Sequence, residues 1–206
     1  MIFDSHTHLN AEQFNGEIPD VIKRAQELDV TEMAVVGFDT LTIAKSLELS
    51  RDYDFIYSII GWHPTEAGSY TPAVEKTLQE QLTLPKVVTL GEIGLDYYWN
   101  EPDREIQKKW FEAQMEMARR THLPLIIHSR DAAKDTVDLM QEHHAGEIGG
   151  IVHCYSYSVG LARTFLDMGF YFGIGGVVTF GNGRKLAEVV KYLPLEKIVL
   201  ETDSPY

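Results

Sequence analysis

Histidines and carboxylates that can bind metal ions recur along this 206-residue sequence. His6 and His8 form an H-x-H pair near the N-terminus. Side chains of an extended segment alternate between its two faces, so both imidazoles can point to the same side and reach one ion. Asp4 precedes the pair and can accept a hydrogen bond either from an imidazole or from the backbone. Alone, an H-x-H pair also fits an ordinary surface or core histidine.

Glu92, in the segment GEIGLD, is the most informative carboxylate. Its two oxygens could bridge two cations about 3.5–4 Å apart, which suggests a binuclear centre. A buried glutamate paired with a basic side chain is the alternative. Asp96 shares the segment, but we expect it to lie past the end of the strand, which favours a loop or structural role.

Three further candidates follow apolar runs late in the chain. His128 in LIIHSR and His153 in GIVHCY must find partners if they are buried, and either a metal or a hydrogen bond would serve. Asp203 in LETDSP could bind metal and accept a proton from an attacking water, or could simply cap the turn before Pro205. Strand alternation predicts that Cys154 is a buried thiol rather than a ligand.

The elements that would position these side chains are short, unbroken apolar runs, which are typical of strands buried on both faces of a parallel sheet. Eight runs alternate with segments of helical spacing, which predicts an α/β fold. The runs span residues 2–4, 33–37, 55–61, 87–91, 125–127, 150–152, 171–176 and 197–200. Eight units favour a TIM (β/α)8 barrel over an open doubly wound sheet. The candidates follow runs one, four, five, six and eight, where a barrel places its chemistry.

Composition limits the classes of function. Thirty-one acidic and eighteen basic residues give a net charge of −13, which argues against sequence-independent binding of nucleic acid. A nuclease remains possible, since bound divalent cations would supply local positive charge. The length predicts one globular domain over residues 1–206. The single cysteine, with no signal peptide or membrane span in the sequence, favours a cytoplasmic location.

Seven segments in order, FDSHTHL, GWHP, GEIGLDYY, LPLIIHSRDA, HCYS, GIGGVVTF and LETDSPY, resemble the TatD family of metal-dependent deoxyribonucleases. The resemblance covers essentially the whole chain and implies an amidohydrolase-like TIM barrel. It implies two divalent ions, of Mg, Zn or Mn, with one set of ligands for each. The first set is His6, His8, Glu92 and Asp203, and the second is Glu92, His128 and His153. TatD-like chains continue past the SPY motif, so we expect a barrel that lacks its final helix.

His63, in GWHP, resembles an active-site histidine of the family that lies outside the main metal cluster. It would contact the phosphate or protonate the leaving oxygen, although a structural histidine before Pro64 is the alternative. Arg130 and Arg184 are weaker candidates for phosphate contacts. With Asp203 and Glu92 as the other catalytic residues, the resemblance predicts hydrolysis of phosphodiester bonds in DNA or RNA by a metal-activated water, as an exonuclease on single-stranded ends.

Two other functions remain open at this point. A metal-dependent deacylase or amidase, acting for example on D-aminoacyl-tRNA, would use the same nucleophile on a carbonyl. A metal-stabilised binding protein without catalysis would keep the ligands and turn over no ester, amide or phosphodiester. No membrane association is expected, and the sequence does not indicate a protein partner.

Overall fold

The computed structural model describes residues 1–99 and 101–206. Its strands are all parallel and are hydrogen-bonded to one another in chain order, in one eight-stranded sheet. The strands are β1 (Ile2–Thr7), β2 (Val30–Gly37), β3 (Ile56–Ile60), β4 (Val87–Asp96), β5 (Leu125–Arg130), β6 (Gly150–Val152), β7 (Tyr171–Ile174) and β8 (Ile198–Leu200). Chain-order pairing of eight parallel strands is the arrangement of a TIM barrel.

Each pair of consecutive strands is joined by a segment that contains one α-helix. The helices are α1 (Ile18–Glu27), α2 (Thr40–Asp52), α3 (Pro72–Gln81), α4 (Arg104–Thr121), α5 (Ala133–Glu142), α6 (Val159–Asp167) and α7 (Arg184–Tyr192). Residues 201–206 follow β8 as irregular backbone. None of the helices in the described ranges has the length and apolar character needed to cross a membrane.

The sheet nearly closes, because the segment after β8 runs beside β1. The backbone N–H of Asp203 donates to the carbonyl of His6 at 2.9 Å, and the N–H of His8 donates to the carbonyl of Ser204 at 2.7 Å. The Ser5 hydroxyl donates to the carbonyl of Leu200 at 2.9 Å. The predicted α/β barrel is therefore confirmed, and closure brings the H-x-H pair next to Asp203.

All eight predicted strands are present, but β1, β4 and β5 run further than their apolar sequences. His6, Glu92 and His128 consequently lie within strands rather than after them. The reason is continued pairing: after a register shift between Leu90 and Ile93, β4 and β5 remain paired as far as Asp96 and Arg130. Gly94 lies in this stretch with a φ of +142°, and a Cβ there would collide with the carbonyl oxygen of His128.

The core lies on both sides of the sheet. Inside the barrel, Val36, Ile59 and Ile126 are almost completely buried together. Outside it, Phe111 and Met115 of α4 recur at helical spacing and are also buried. Burial on both faces explains why the strand sequences are continuously apolar until they reach the polar residues at their C-terminal ends.

Candidate metal centre

Four donors from the joined edges of β1 and β8 and from β4 converge at the C-terminal end of the barrel. His6 Nε2 and His8 Nε2 are 3.3 Å apart. The Oδ1 atom of Asp203 lies 3.3 Å from His8 Nε2 and 3.6 Å from His6 Nε2. Glu92 Oε2 lies 3.5 Å from His6 Nε2 and 4.0 Å from His8 Nε2. The strand positions thus bring Asp203 and Glu92 each within 4.0 Å of both histidines.

The other oxygen of Glu92 faces a different pair of imidazoles. Glu92 Oε1 lies 2.7 Å from His128 Nδ1 and 2.9 Å from His153 Nε2. In the residues that the structure describes, every ion-pair partner of Glu92 is a histidine, so the alternative of a pair with lysine or arginine finds no support. Glu92 is 4 % exposed and stands between two sets of nitrogen donors.

The spacing of the first set fits a metal ion. Ligands bonded at 2.0–2.1 Å in tetrahedral geometry lie about 3.4 Å from one another. The distances from the two histidines to one another, to Asp203 Oδ1 and to Glu92 Oε2 span 3.3–4.0 Å. The donor atoms of His6, His8 and Asp203 all lie within 4.8 Å of one another. Imidazole and carboxylate donors are also the chemical types that divalent metals bind in proteins. The residues present therefore fit the ion that the sequence implies.

The protonation states of the two carboxylates and of His6 suit ligation. Burial raises the pKa of the Glu92 carboxyl, but His153 and the neighbouring imidazoles outweigh burial and hold that pKa well below its usual range. Burial and His153 together lower the pKa of His6. For Asp203, burial raises the pKa, and contacts with His8 and other imidazoles lower it further than burial raises it. Ionised carboxylates beside a neutral imidazole are the forms that bind metals. Burial lowers the pKa values of His128 and His153, but contacts with neighbouring carboxylates outweigh burial and raise both, so a metal ion would displace protons from these two rings.

His63 follows β3 and borders the same cluster, with Nε2 3.7 Å from Glu92 Oε1. The backbone N–H of Thr65 donates to His63 Nδ1 at 3.2 Å. Because Nδ1 accepts, the proton of the neutral ring must be on Nε2, which faces the cluster. Burial, followed by the nearby His128, lowers the pKa of His63 to about 3. A neutral ring with an Nε2–H suits hydrogen bonding to a substrate oxygen better than protonation of a leaving group.

Asp96 belongs to the site, contrary to the expectation that it would lie past the strand. It is the last residue of β4 and is 1 % exposed. Its Oδ2 atom lies 3.0 Å from His128 Nε2, and its Oδ1 accepts the N–H of Tyr98 at 3.0 Å. The signal that could have found it is strand periodicity, since residues four apart on a strand share a face and Glu92 is four residues earlier.

Comparison with known proteins agrees with this geometry. The sequence model described as TatD related DNase matches residues 3–206. The chain belongs to the TatD family. It is 44 % identical over 206 residues to YabD of Bacillus subtilis, an uncharacterized metal-dependent hydrolase, and the match covers 100 % of this chain and 81 % of YabD.

Other relatives in the TatD family extend the comparison. The 3'-5' ssDNA/RNA exonuclease TatD of Salmonella typhimurium is 32 % identical, with 100 % of this chain and 79 % of that protein covered. The crystal structure of YjjV, a TatD homolog from Escherichia coli K12, superposes with a TM-score of 0.93 at 31 % identity. That superposition covers 99 % of this chain and 79 % of YjjV.

Two further acidic residues lie next to proposed metal ligands of this TatD family protein. Glu201, which the sequence did not single out, is buried, with Oε1 3.6 Å from His153 Nδ1. The same oxygen accepts the backbone N–H of Cys154. Asp4 accepts N–H groups from the backbone of His6 at 3.3 Å and of Thr202 at 3.0 Å, so of its two predicted roles it has the backbone one.

The prediction of a buried thiol at Cys154 is wrong, because the residue is exposed. β6 ends two residues earlier, at Val152, and Cys154 has a φ of +44°. Strand alternation therefore no longer determines where its side chain points.

Two buried glutamines of α4 hold the ends of the strands that carry the site. Gln107 accepts the N–H of Asp96 at 2.8 Å and donates to its carbonyl at 2.9 Å. Gln114, two helical turns later, accepts the N–H of Trp62 at 2.8 Å and donates to its carbonyl at 3.1 Å. Trp62 directly precedes His63. Each amide thus satisfies both polar groups of one backbone residue and fixes its position.

The two predicted substrate arginines lie in different places. A cavity of about 340 Å³ opens over the cluster and is bordered by His63 and by Arg130, the last residue of β5. Arg184 is exposed at the start of α7 and is not among the described residues that line this cavity. Of the two, only Arg130 is placed beside the candidate centre.

Proposed function

We propose that this protein is a metal-dependent phosphodiesterase that removes nucleotides from single-stranded ends of DNA or RNA. The observation that carries the proposal is the position of Glu92, whose two oxygens face separate groups of imidazoles. Two divalent ions would be held around it, one by each set of donors. The first set is His6, His8, Glu92 and Asp203, and the second is Glu92, His128 and His153.

When bound, divalent ions would neutralise phosphate charge and lower the pKa of an attacking water. The protein's own groups would perform the remaining steps. The Asp203 carboxylate, whose pKa is lowered by His8 and other imidazoles in spite of burial, is ionised at neutral pH and can accept the proton of that water. His63 would donate its Nε2–H to an oxygen of the phosphate and so hold the phosphate against the cluster.

Three observations support a nucleic-acid end as the substrate. The Salmonella relative is named as an exonuclease of single-stranded DNA and RNA. The cavity over the cluster, at about 340 Å³, has room for about one nucleotide. The net charge of −13 gives no general attraction for a long duplex, so cleavage would depend on contacts inside the cavity.

The donor set narrows the choice of metal. Imidazoles suit zinc, whereas magnesium and manganese prefer carboxylates and other oxygen ligands. Of the six donors, four are imidazoles and two are carboxylates, which favours zinc over manganese or magnesium. Reconstitution of metal-stripped protein with each ion separately would rank them.

The experiment is a comparison of substrates with one preparation of protein. Turnover of a 3'-labelled single-stranded oligonucleotide, the same oligonucleotide in a duplex, and a D-aminoacyl-tRNA would be measured for the wild type, Asp203→Asn and Asp167→Asn. Asp167 is an exposed aspartate at the end of α6 and serves as the matched control. We expect the wild type and the control to degrade the single strand fastest, and Asp203→Asn to lose that activity.

Faster turnover of the aminoacyl ester than of DNA would instead identify a deacylase. Retained metal with no turnover of any substrate would identify a binding protein.

A further inference from the structure

Two large aromatic side chains stand exposed beside the candidate centre. Tyr98 is 53 % exposed and Trp99 is 56 % exposed, although they lie only two and three residues after the end of the largely buried β4. Exposed aromatic surface of this size, next to a functional cavity, marks a binding surface more often than a packing fault. The sequence assigned no role to either ring.

The two rings contact one another, and Tyr98 also contacts Arg130. The rings of Tyr98 and Trp99 lie perpendicular, with centroids 4.9 Å apart. The guanidinium of Arg130 covers the Tyr98 ring, with Cζ 3.8 Å from its centroid. A cation over an aromatic face and an edge-to-face aromatic pair are both favourable contacts. The Arg130 contact thus holds Tyr98, which in turn supports Trp99.

The backbone under these rings is tied to the centre. Asp96 Oδ1 accepts the N–H of Tyr98 at 3.0 Å, and the carbonyl of Arg130 accepts the N–H of Tyr97 at 2.8 Å. The Tyr97 hydroxyl donates to Asp135 at 2.8 Å. Since Asp96 also contacts His128, the backbone that carries the rings is connected to the proposed metal ligands. A preformed surface loses little entropy when it binds a ligand.

The chemistry of the cavity selects a nucleobase as the occupant. Trp99 and Arg130 both line the cavity that contains Glu92. Among the described residues that line it, Arg130 is the one lysine or arginine, in a protein of net charge −13. An indole face beside one cation matches a nucleotide, which has a planar base next to an anionic phosphate. Aromatic stacking with a phosphate contact is the usual way in which proteins bind unpaired strands.

We propose that Trp99, supported by Tyr98 and Arg130, is a stacking site for an unpaired nucleobase next to the scissile phosphate. This inference rests on the proposed function and gives it a specificity determinant. A base within a duplex has both faces covered by its neighbours, so the site would favour single-stranded ends. Stacking on aromatic side chains tolerates every base, so little sequence preference is expected.

The test is a coupling measurement between protein and substrate. The specificity constant kcat/KM would be measured for wild type and Trp99→Ala, with a normal oligonucleotide and with oligonucleotides that carry an abasic residue beside the scissile bond. We expect the indole deletion alone, or the base deletion alone, to lower kcat/KM by about 5- to 150-fold. The two deletions together should lower kcat/KM no further than either deletion alone, because they remove the same contact.

Tyr171→Ala is the matched control. Tyr171 is 41 % exposed and has Lys197 Nζ 4.2 Å from its ring centroid, but it begins β7, at the opposite end of the barrel. This substitution should leave kcat/KM for the oligonucleotide within twofold of wild type.

A second readout does not depend on turnover. Binding of a phosphorothioate oligothymidylate should quench tryptophan fluorescence in the wild type, and the quench should be lost in Trp99→Phe, because Trp62 is buried and Trp110 is half-buried.

The outcomes separate the two proposals. If removal of the base still lowers kcat/KM in Trp99→Ala, or if the fluorescence quench is unchanged in Trp99→Phe, the stacking site is wrong. Neither result would contradict the proposed phosphodiesterase activity. A wild type that cleaves no oligonucleotide and yet shows a Trp99-dependent quench would overturn the proposed function and support the stacking site.

Discussion

Asp96 Oδ2 lies 3.0 Å from Nε2 of His128, while Nδ1 of the same ring lies 2.7 Å from Glu92 Oε1. Burial raises the pKa of Asp96, but its contacts with His128 lower that pKa further, so Asp96 is ionised at neutral pH and can only accept. Asp96 therefore keeps a proton on Nε2. Burial lowers the pKa of His128, but its contacts with Asp96 and Glu92 raise that pKa further, so a metal ion at Nδ1 would displace a proton from the ring. An acidic partner that orients a ligand histidine commonly strengthens its metal site.

We therefore expect Asp96→Asn to weaken metal binding by about 10- to 100-fold while the protein remains folded. The asparagine can still accept the N–H of Tyr98, but its amide can donate to His128 and favour the wrong tautomer. Titration of metal-stripped protein by calorimetry would measure the affinity. Asp103→Asn, at the exposed N-cap of α4, is the control. Equal affinities for all three proteins would show that Asp96 has no such role.

The glutamines of α4 give a prediction about stability. Replacement of either Gln107 or Gln114 by alanine leaves one buried N–H and one buried carbonyl without their side-chain partner. We expect each substitution to lower the free energy of unfolding by about 2–4 kcal/mol. Denaturant unfolding would measure it, with the exposed Gln79→Ala in α3 as the control. A change as small as that of Gln79→Ala would contradict the role of these amides.

His63 gives a prediction that separates substrate contact from metal binding. His63→Ala removes the Nε2–H that faces the cluster, and we expect kcat to fall by about 10²- to 10³-fold. Metal content should stay at the wild-type level, since the six proposed ligands remain. The half-buried His143→Ala tests the loss of a histidine elsewhere. Loss of metal together with activity would assign His63 to the ligand set instead.

Asp135 gives a prediction about pH. Its hydrogen bonds with Lys108 and then Tyr97 hold the pKa of the Asp135 carboxyl below its usual value. A lowered pKa stabilises the fold above the unfolded value of about 3.9, and this stability is lost as the pH falls through the folded pKa. We expect Asp135→Asn to lower the unfolding free energy at pH 7 by less than about 1 kcal/mol.

Denaturant unfolding at pH 7 and at pH 3 would show whether the difference in unfolding free energy between wild type and Asp135→Asn becomes smaller in acid. The exposed Asp20→Asn variant should show no such convergence. A difference in unfolding free energy that becomes larger in acid would contradict a lowered pKa of Asp135 in the folded protein.

The sequence predicted the barrel, and it named six residues that the structure brings together as a candidate metal cluster. The strands could be recognised as continuous apolar runs, because a strand that is buried on both faces has no alternating polar residues. His6, His8, Glu92, His128, His153 and Asp203 stood at the ends of those runs, and barrel closure brings them together. The contacts between their atoms depend on barrel closure and on strand register, and neither can be derived from a local sequence pattern.

The residues that sequence reasoning missed act through long-range contacts. Asp96 was placed in a loop because β4 was expected to stop where its apolar run stops, whereas pairing with β5 extends the strand. Gln107 and Gln114 lie on a helix, where a polar residue normally indicates a solvent-facing position. Their partners are backbone groups of two different strands, so only the folded chain identifies them.

The measurement that tests the central claim most directly is the metal content of Glu92→Gln beside its rate of single-strand cleavage. A glutamine amide has one carbonyl oxygen and cannot serve both groups of imidazoles. Wild type and Glu196→Gln, an exposed control, should each hold about two divalent ions per chain and degrade the oligonucleotide. Glu92→Gln should lose metal and activity together. Metal content and cleavage rate equal to those of the wild type would contradict the claim that Glu92 joins two metal sites.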